Sequence, residues 1–446
     1  CRAAAQANRI LSPALRKVLP EMRSGADQNY NEAFMSRTLP RLRPALDIIP
    51  SPDAARPGLV LRDPYRYAET ILHLPPVWAA SLEYLDGSHT ELDLQEFLTR
   101  ATGRLVFSNE VREFVGTLQK HGFLDTEEFH SLRERREAEF RQAPERAAAH
   151  AGAAYPASAP EVRAAFDSYF RAGDATPDGP APGLVGIAAP HVSLEGGSSC
   201  YAAAYRPLAG RPELAQRTFV ILGTSHYGGP EKFGVTRKPF VTPLGALPVA
   251  TELLDGLEQR APDAICQEDY CHSIEHSIEF QCVFLQHVLG SGFRILPILC
   301  GPFTESLHTG RAPETSEELG RFFTALGGLA EQYAGRLFWV LGVDMAHIGR
   351  RYGDSFQAVA GRGPMAAVDQ EDRRRLDRIC AGDPEGFFDL VKRDGDELRW
   401  CGYSPLYTFL KVVPGARGRL LRYEQWNIDS QSVVSFAGLQ FFHPAT

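Results

Sequence analysis

The chain has 446 residues and 44% hydrophobic content, enough to fill the cores of two or more domains. A formal net charge of −8 argues against a general nucleic-acid partner. No apolar run approaches the roughly 20 residues needed to span a bilayer as a helix.

The opening segment, "CRAAAQANRILSPAL", carries an arginine but no continuous apolar stretch, so it does not read as a signal peptide. Eight cysteines are scattered along the chain without a CxxC pair. That pattern fits reduced thiols in a cytoplasmic protein better than a disulfide scaffold.

Residues 1–44 are polar and mixed, and read as an N-terminal arm. Residues 45–128 read as a small winged-helix-like module. "GLVLRDP" and "YAETILHL" are short strand-like runs, and "PPVWAASLEYLDG" is a helix opened by proline. Thr90 then precedes a helix in "ELDLQEFLTRA". In the next, Val111, Phe114, Val115 and Leu118 follow the i, i+3, i+4, i+7 spacing of an amphipathic helix. Residues 129–181 read as a charged helix, an Ala/Pro linker ("AAAHAGAAYPASAP") and one more helix.

From 182 to 446 the pattern changes. Apolar strands at Leu184–Ala189, Thr218–Leu222, Phe293–Cys300 and Leu337–Val343 alternate with helical segments, and two strand-like runs close the chain. This predicts an α/β domain with a layered, mostly parallel sheet flanked by helices.

Three histidines sit just past such strands: His191 in "GIAAPH", His226 in "ILGTSH" and His347 in "GVDMAH". The carboxyl ends of parallel strands open on one crevice, so these imidazoles are expected to converge. Asp344 adds a carboxylate three residues before His347, suited to a helix cap or to proton handling. Cys401, in the turn-prone "WCGYSP", could supply a thiolate, and histidine with cysteine reads first as a metal site. Cys300 also ends a strand and reads as a buried, inert thiol.

"DYCHSIEHSIEFQCVFLQHVL" is expected to place His272, Glu275, His276 and Glu279 on one face of a helix. His272 to His276 also spells H-x-x-E-H, the inverted zinc-protease signature, so a zinc hydrolase is an alternative reading.

The ordered set "APH" (189–191), "GTSH" (223–226), "EHSIE" (275–279), "VDMAHIG" (343–349) and "CG" (401–402) resembles the Memo family, whose bacterial members are labelled AmmeMemoRadiSam system protein B. The resemblance covers 182–446. It implies a fold similar to the class III extradiol dioxygenases. Carried over by motif, the metal ligands would be His191, His226 and Cys401. Asp344 and His347 would be the catalytic pair beside the metal, and Glu275, His276 and Glu279 would belong to the pocket. His272 and Cys300 have no counterpart role. After "APH" the chain reads "VSLEGGSSCYAAAY", which departs from the family's usual continuation at the pocket mouth.

The implied cofactor is a mononuclear metal, Fe(II) first, copper second and zinc possible, in a dioxygenase-like oxidoreductase. The family label also points to a radical-SAM partner. Residues 45–128 resemble the PqqD-like peptide-recognition domains through "LEYLDGSHTELDLQEFL" and "VREFVGTLQKHGFLD". The alternative these imply is a non-catalytic peptide-binding or maturation scaffold.

Overall fold

The computed structural model describes residues 37–51, 53, 55–172, 183–393 and 395–443. The opening segment and most of the expected N-terminal arm lie outside them. The chain divides into two compact units, Cys1–Glu139 and Phe140–Thr446. Among the described residues, no helix is long and apolar enough to cross a membrane.

In the first unit, β1 (Asp47–Pro50), β2 (Leu59–Arg62) and β3 (Leu72–Leu74) form an antiparallel three-stranded sheet in that order. Helices α1 (Pro76–Ala80), α2 (Glu91–Thr102), α3 (Ser108–Lys120) and the start of α4 (Glu127–Gln142) follow. Thr90 caps α2 through a reciprocal box with Asp93. Leu61, Leu94, Leu98, Val111 and Leu118 belong to its closed core.

The second unit is a helix–sheet–helix sandwich. It runs through α5 (Ala159–Ala172), β4 (Leu184–Ala189), α6 (Leu194–Tyr205), β5 (Thr218–Thr224) and β6 (Phe233–Val235). The hairpin β7 (Phe240–Thr242) and β8 (Gly245–Leu247) follows, then α7 (Thr251–Arg260), β9 (Ile265–Gln267), α8 (Glu279–Leu289) and β10 (Arg294–Cys300). After α9 (Thr304–Thr309) and α10 (Glu317–Gln332) come β11 (Leu337–Gly342) and β12 (His347–Gly349). The unit ends with α11 (Pro364–Cys380), α12 (Pro384–Lys392), α13 (Tyr403–Val412), β13 (Arg417–Asp429) and β14 (Ser432–Phe442).

The main sheet runs β12-β14-β4-β11-β5-β10-β6-β9, with β13 paired to β14. The centre, β4-β11-β5-β10, is parallel, as its continuous apolar runs predict. Both sides add antiparallel pairings, β14 on β4 and β6 on β10. Strand pleating sends Val220, Leu222, Trp339 and Leu341 into one helix-covered core and Phe219, Ile221, Phe338 and Val340 into the other.

Two expectations change. Residues 140–158, part of the stretch read as charged helix and linker, belong to the α/β unit, and Tyr155 is buried in its core. The reason is non-local: the backbone N–H groups of Ala149 and His150 donate to Glu279, and so does the Tyr155 hydroxyl.

Residues 272–279 also do not form one helix. A 3-10 turn spans Tyr270–Ser273, and α8 begins only at Glu279. The Glu275 carboxylate accepts from the backbone N–H groups of His226, His276 and Ser277, which holds the chain off a helical path.

Candidate metal centre

Parallel strands deliver the site. His191 lies two residues past β4, His226 two past β5 and Asp344 two past β11, while Cys401 immediately precedes the turn into α13. Tight approach at the Cys401 turn requires glycine. A Cβ on Gly402 would lie 2.6 Å from the Asp344 carbonyl oxygen, which accepts the Gly402 N–H at 3.0 Å.

Ligand atoms of His191, His226 and Cys401 lie within 4.8 Å of one another. Cys401 Sγ is 3.3 Å from His191 Nε2. Zinc-type bond lengths in a tetrahedron put sulfur and nitrogen roughly 3.5 Å apart, so the donor set fits one ion.

The imidazoles are oriented from behind. His191 Nδ1 donates to the Gly342 carbonyl at 2.9 Å, and its backbone N–H donates to Asp344 Oδ1 at 2.9 Å. His226 Nδ1 is 3.1 Å from either Glu275 oxygen. Each ring therefore turns Nε2 to the centre, as ligand-supporting hydrogen bonds do.

Electrostatics favour a thiolate. Burial alone would raise the Cys401 thiol, but His191 and His347 beside it take it down to about 5. Burial would lower His191, yet Asp344 and Cys401 raise it to about 9. The two shifts favour an imidazolium–thiolate pairing of His191 with Cys401. An arriving ion displaces that proton. His226 also moves well above its usual value, because Glu275 and Cys401 outweigh its removal from water. Burial would raise Glu275, but His226 and His276 hold it well below the carboxylate range.

A second group, His226, Glu275 and His276, also meets the distance requirement. Glu275 there faces the Nδ1 atoms of His226 and His276, at 3.1 and 2.9 Å. It is a clamp holding two rings parallel, with centroids 5.1 Å apart and planes 12° apart.

The centre opens on a cavity of about 280 Å³. His150, His191, His226, His276, Asp344 and His347 line it together with Val192, Phe280, Ile428 and Val434. His347 Nδ1 faces the carbonyls of Met345 (2.9 Å) and Arg399 (3.1 Å), which leaves Nε2 for the cavity.

Two sequence-predicted residues, Glu279 and His272, lie elsewhere. Glu279 is not in the pocket: it is fully buried behind it, paired with Arg146. His272 is buried with Nε2 3.1 Å from the Gly234 carbonyl, outside both metal-capable groups, so the H-x-x-E-H set is not assembled. Cys300 is buried, and burial pushes its thiol far up. The sequence reading missed His150, Phe280 and Tyr352 in the lining. Phe280, directly after the "EHSIE" motif, and Tyr352, close after "VDMAHIG", had a signal nearby; His150 had none.

Two imidazoles and one thiolate at the carboxyl edge of a parallel core define an α/β protein with a metal-capable cleft. The chain belongs to the Memo-like protein family, whose profile matches residues 146–440. It is 26% identical to a MEMO1 family protein of Aquifex aeolicus over 388 residues, covering 86% of this chain and 96% of that one. That alignment is longer than the α/β unit, so it reaches into the N-terminal unit. The chain is 30% identical over 313 residues to the MEMO1 family protein MK0963 of Methanopyrus kandleri, covering 67% of this chain and 99% of that one.

Proposed function

We propose that His191, His226 and Cys401 hold one metal ion, and that the site performs redox or oxygen-related chemistry on a small molecule or peptide. The observation that carries this reading is the meeting of two back-braced imidazoles and one acidified thiol from three remote loops. Fe(II) is the first choice, copper the second and zinc possible; the ion would supply Lewis acidity and, for iron or copper, electron transfer.

The chain's own groups do the rest. His347 turns Nε2 to the cavity and serves as the proton acceptor, with Asp344 holding the His191 backbone. The apolar side chains of Val192, Phe280, Ile428 and Val434 in the lining suit the apolar body of a ligand. A fold similar to that of the class III extradiol dioxygenases would suit such chemistry. Free thiols throughout the described chain support a cytoplasmic setting.

Elemental analysis of the anaerobically purified full chain tests the reading. One equivalent of iron or copper is expected, with oxygen uptake over a substrate panel that is lost in His347→Gln. Metal content at background in the wild-type chain would remove the proposal.

A second reading has its own observation. Leu105 and Phe107, ahead of α3, are 62% and 58% exposed. They favour a peptide-docking role for the first unit, as a winged-helix, PqqD-like module serving a radical-SAM system. Calorimetry of the full chain with short peptides, compared with Phe107→Ser, separates that role from chemistry at the cleft.

A further inference from the structure

Helix α11 reads "PMAAVDQEDRRRLDRIC", a run of charges typical of a solvated surface. Arg373, Arg374 and Asp377 are indeed exposed, but Asp372 within the same run is fully buried. An unsupported carboxylate in that position would cost several kcal/mol, so its partners matter.

It has three donors. Trp400 Nε1 donates to Oδ1 at 2.7 Å. The Tyr423 hydroxyl and Ser435 Oγ donate to Oδ2 at 2.8 and 2.6 Å. Two of these arms lead directly to the cleft. Trp400 is the residue before Cys401, and its indole is buried, with Arg375 over its face at 5.3 Å. Ser435 holds the loop between Asp344 and His347. Its Oγ accepts the Ala346 N–H at 2.9 Å, its carbonyl accepts the Met345 N–H at 2.8 Å, and its own N–H donates to the Ala346 carbonyl at 2.9 Å.

We infer that Asp372 is a positioning residue that sets the Cys401 turn against the Asp344–His347 loop. It does not line the cavity and touches neither a ligand atom nor a substrate. Its two oxygens add side-chain anchors to two chain segments that otherwise meet through the Gly402 N–H on the Asp344 carbonyl (3.0 Å) and the His347 N–H on the Leu398 carbonyl (2.8 Å), one segment ending in sulfur and the other in the proton-handling pair. The inference rests on the metal-site reading above. A buried carboxylate that served stability alone would leave the metal geometry unchanged in every variant that folds.

The discriminating probe is Co(II) added to chelator-treated full-length protein, because its thiolate charge-transfer band reports sulfur ligation directly. Wild-type chain that shows no such band sinks the metal-site reading itself and leaves nothing for Asp372 to position. With the wild-type band present, Asp372→Ala is expected to weaken Co(II) affinity at least about 10-fold and reduce the band. Asp372→Asn keeps an acceptor for Trp400 Nε1, and its amide can donate to the two hydroxyls, so affinity should return to within about 3-fold of wild type. A folded Asp372→Ala protein with wild-type affinity and band would overturn the inference. Should Asp372→Ala fail to fold, Trp400→Phe and Ser435→Ala cut one arm each. A weakened or shifted cobalt band in Trp400→Phe supports the role, and wild-type bands and affinities in both refute it.

Discussion

Each unit buries an arginine against a carboxylate, and the two pairs do different things. In the first unit, Arg43 meets Asp63 at 3.0 Å, donates to the Gly122 carbonyl at 2.8 Å and lies over the Phe129 ring. Asp63 in turn accepts the backbone N–H groups of Tyr65 and Ala68. In the second unit, Arg146 pairs with Glu279 and donates at 2.7 Å to the carbonyls of His272 and Glu275. Glu279 ties down the segment that brings His150 to the cavity, while Arg146 braces the chain that carries Glu275 and His276. The same device is structural filler in one place and the footing of a cleft in the other. What surrounds a buried pair, not the pair itself, decides whether it bears on function.

The largest expected effect lies at the cleft. Cys401→Ser or His191→Ala should abolish stoichiometric metal binding, a loss beyond the roughly 10–100-fold expected for a supporting group. Equilibrium titration and circular dichroism check this, and full binding by both folded variants would erase the contrast between the two units.

Next come the pairs. Arg146→Met and Arg43→Met each strand a buried carboxylate, and each should destabilise its own unit by about 3–5 kcal/mol in urea melts. Only Arg146→Met should also weaken Co(II) binding. Equal binding losses in the two variants would dissolve the distinction.

Two buried carboxylates of the α/β unit should respond to pH in opposite directions. Burial would raise Glu279, but Arg146 and Tyr155 more than offset it, so its pKa is lowered. Its contribution is present above the ordinary carboxylate range and is lost as pH falls through the folded value. Asp372 is raised by burial from 3.8 to about 6, despite its three donors. The neutral form is favoured in the fold, so its contribution is full below 3.8 and is lost as pH rises through 6. Wild type should therefore gain on Asp372→Asn as pH falls from about 7.5 to 4.5, by roughly 2 kcal/mol. Paired denaturant melts at the two pH values measure it, and a flat difference would contradict it.

The smallest effect belongs to the surface. Arg321 pairs with Glu317 one helical turn away, at 2.7 Å and well exposed. Glu317→Gln should change stability by no more than about 0.5 kcal/mol and leave metal binding untouched.

Much of this molecule could be read before folding because its signals are local. Strands buried on both faces print as unbroken apolar runs, and β4, β5, β10 and β11 lie where those runs are. His191, His226, Asp344 and Cys401 sit at strand and helix junctions, so their meeting followed from topology. What was illegible depends on partners far along the chain. Ala149 and His150 looked like linker because the carboxylate that captures them is Glu279. The 272–279 stretch has helical spacing, yet its glutamate binds backbone N–H groups near His226 instead of extending a helix. Asp372 was hidden among surface charges because its three donors come from later in the sequence.

β14 comes last among the described strands, yet it lies inside the sheet, between β12 and β4, and it carries Ser435. A growing chain on the ribosome can pair β4, β11, β5 and β10 long before β14 emerges, but it cannot fasten the loop holding Asp344 and His347. If His191, His226 and Cys401 hold an ion as proposed, its loading should therefore be a post-translational event, and a nascent polypeptide stalled ahead of Ser432 should be unable to sequester metal.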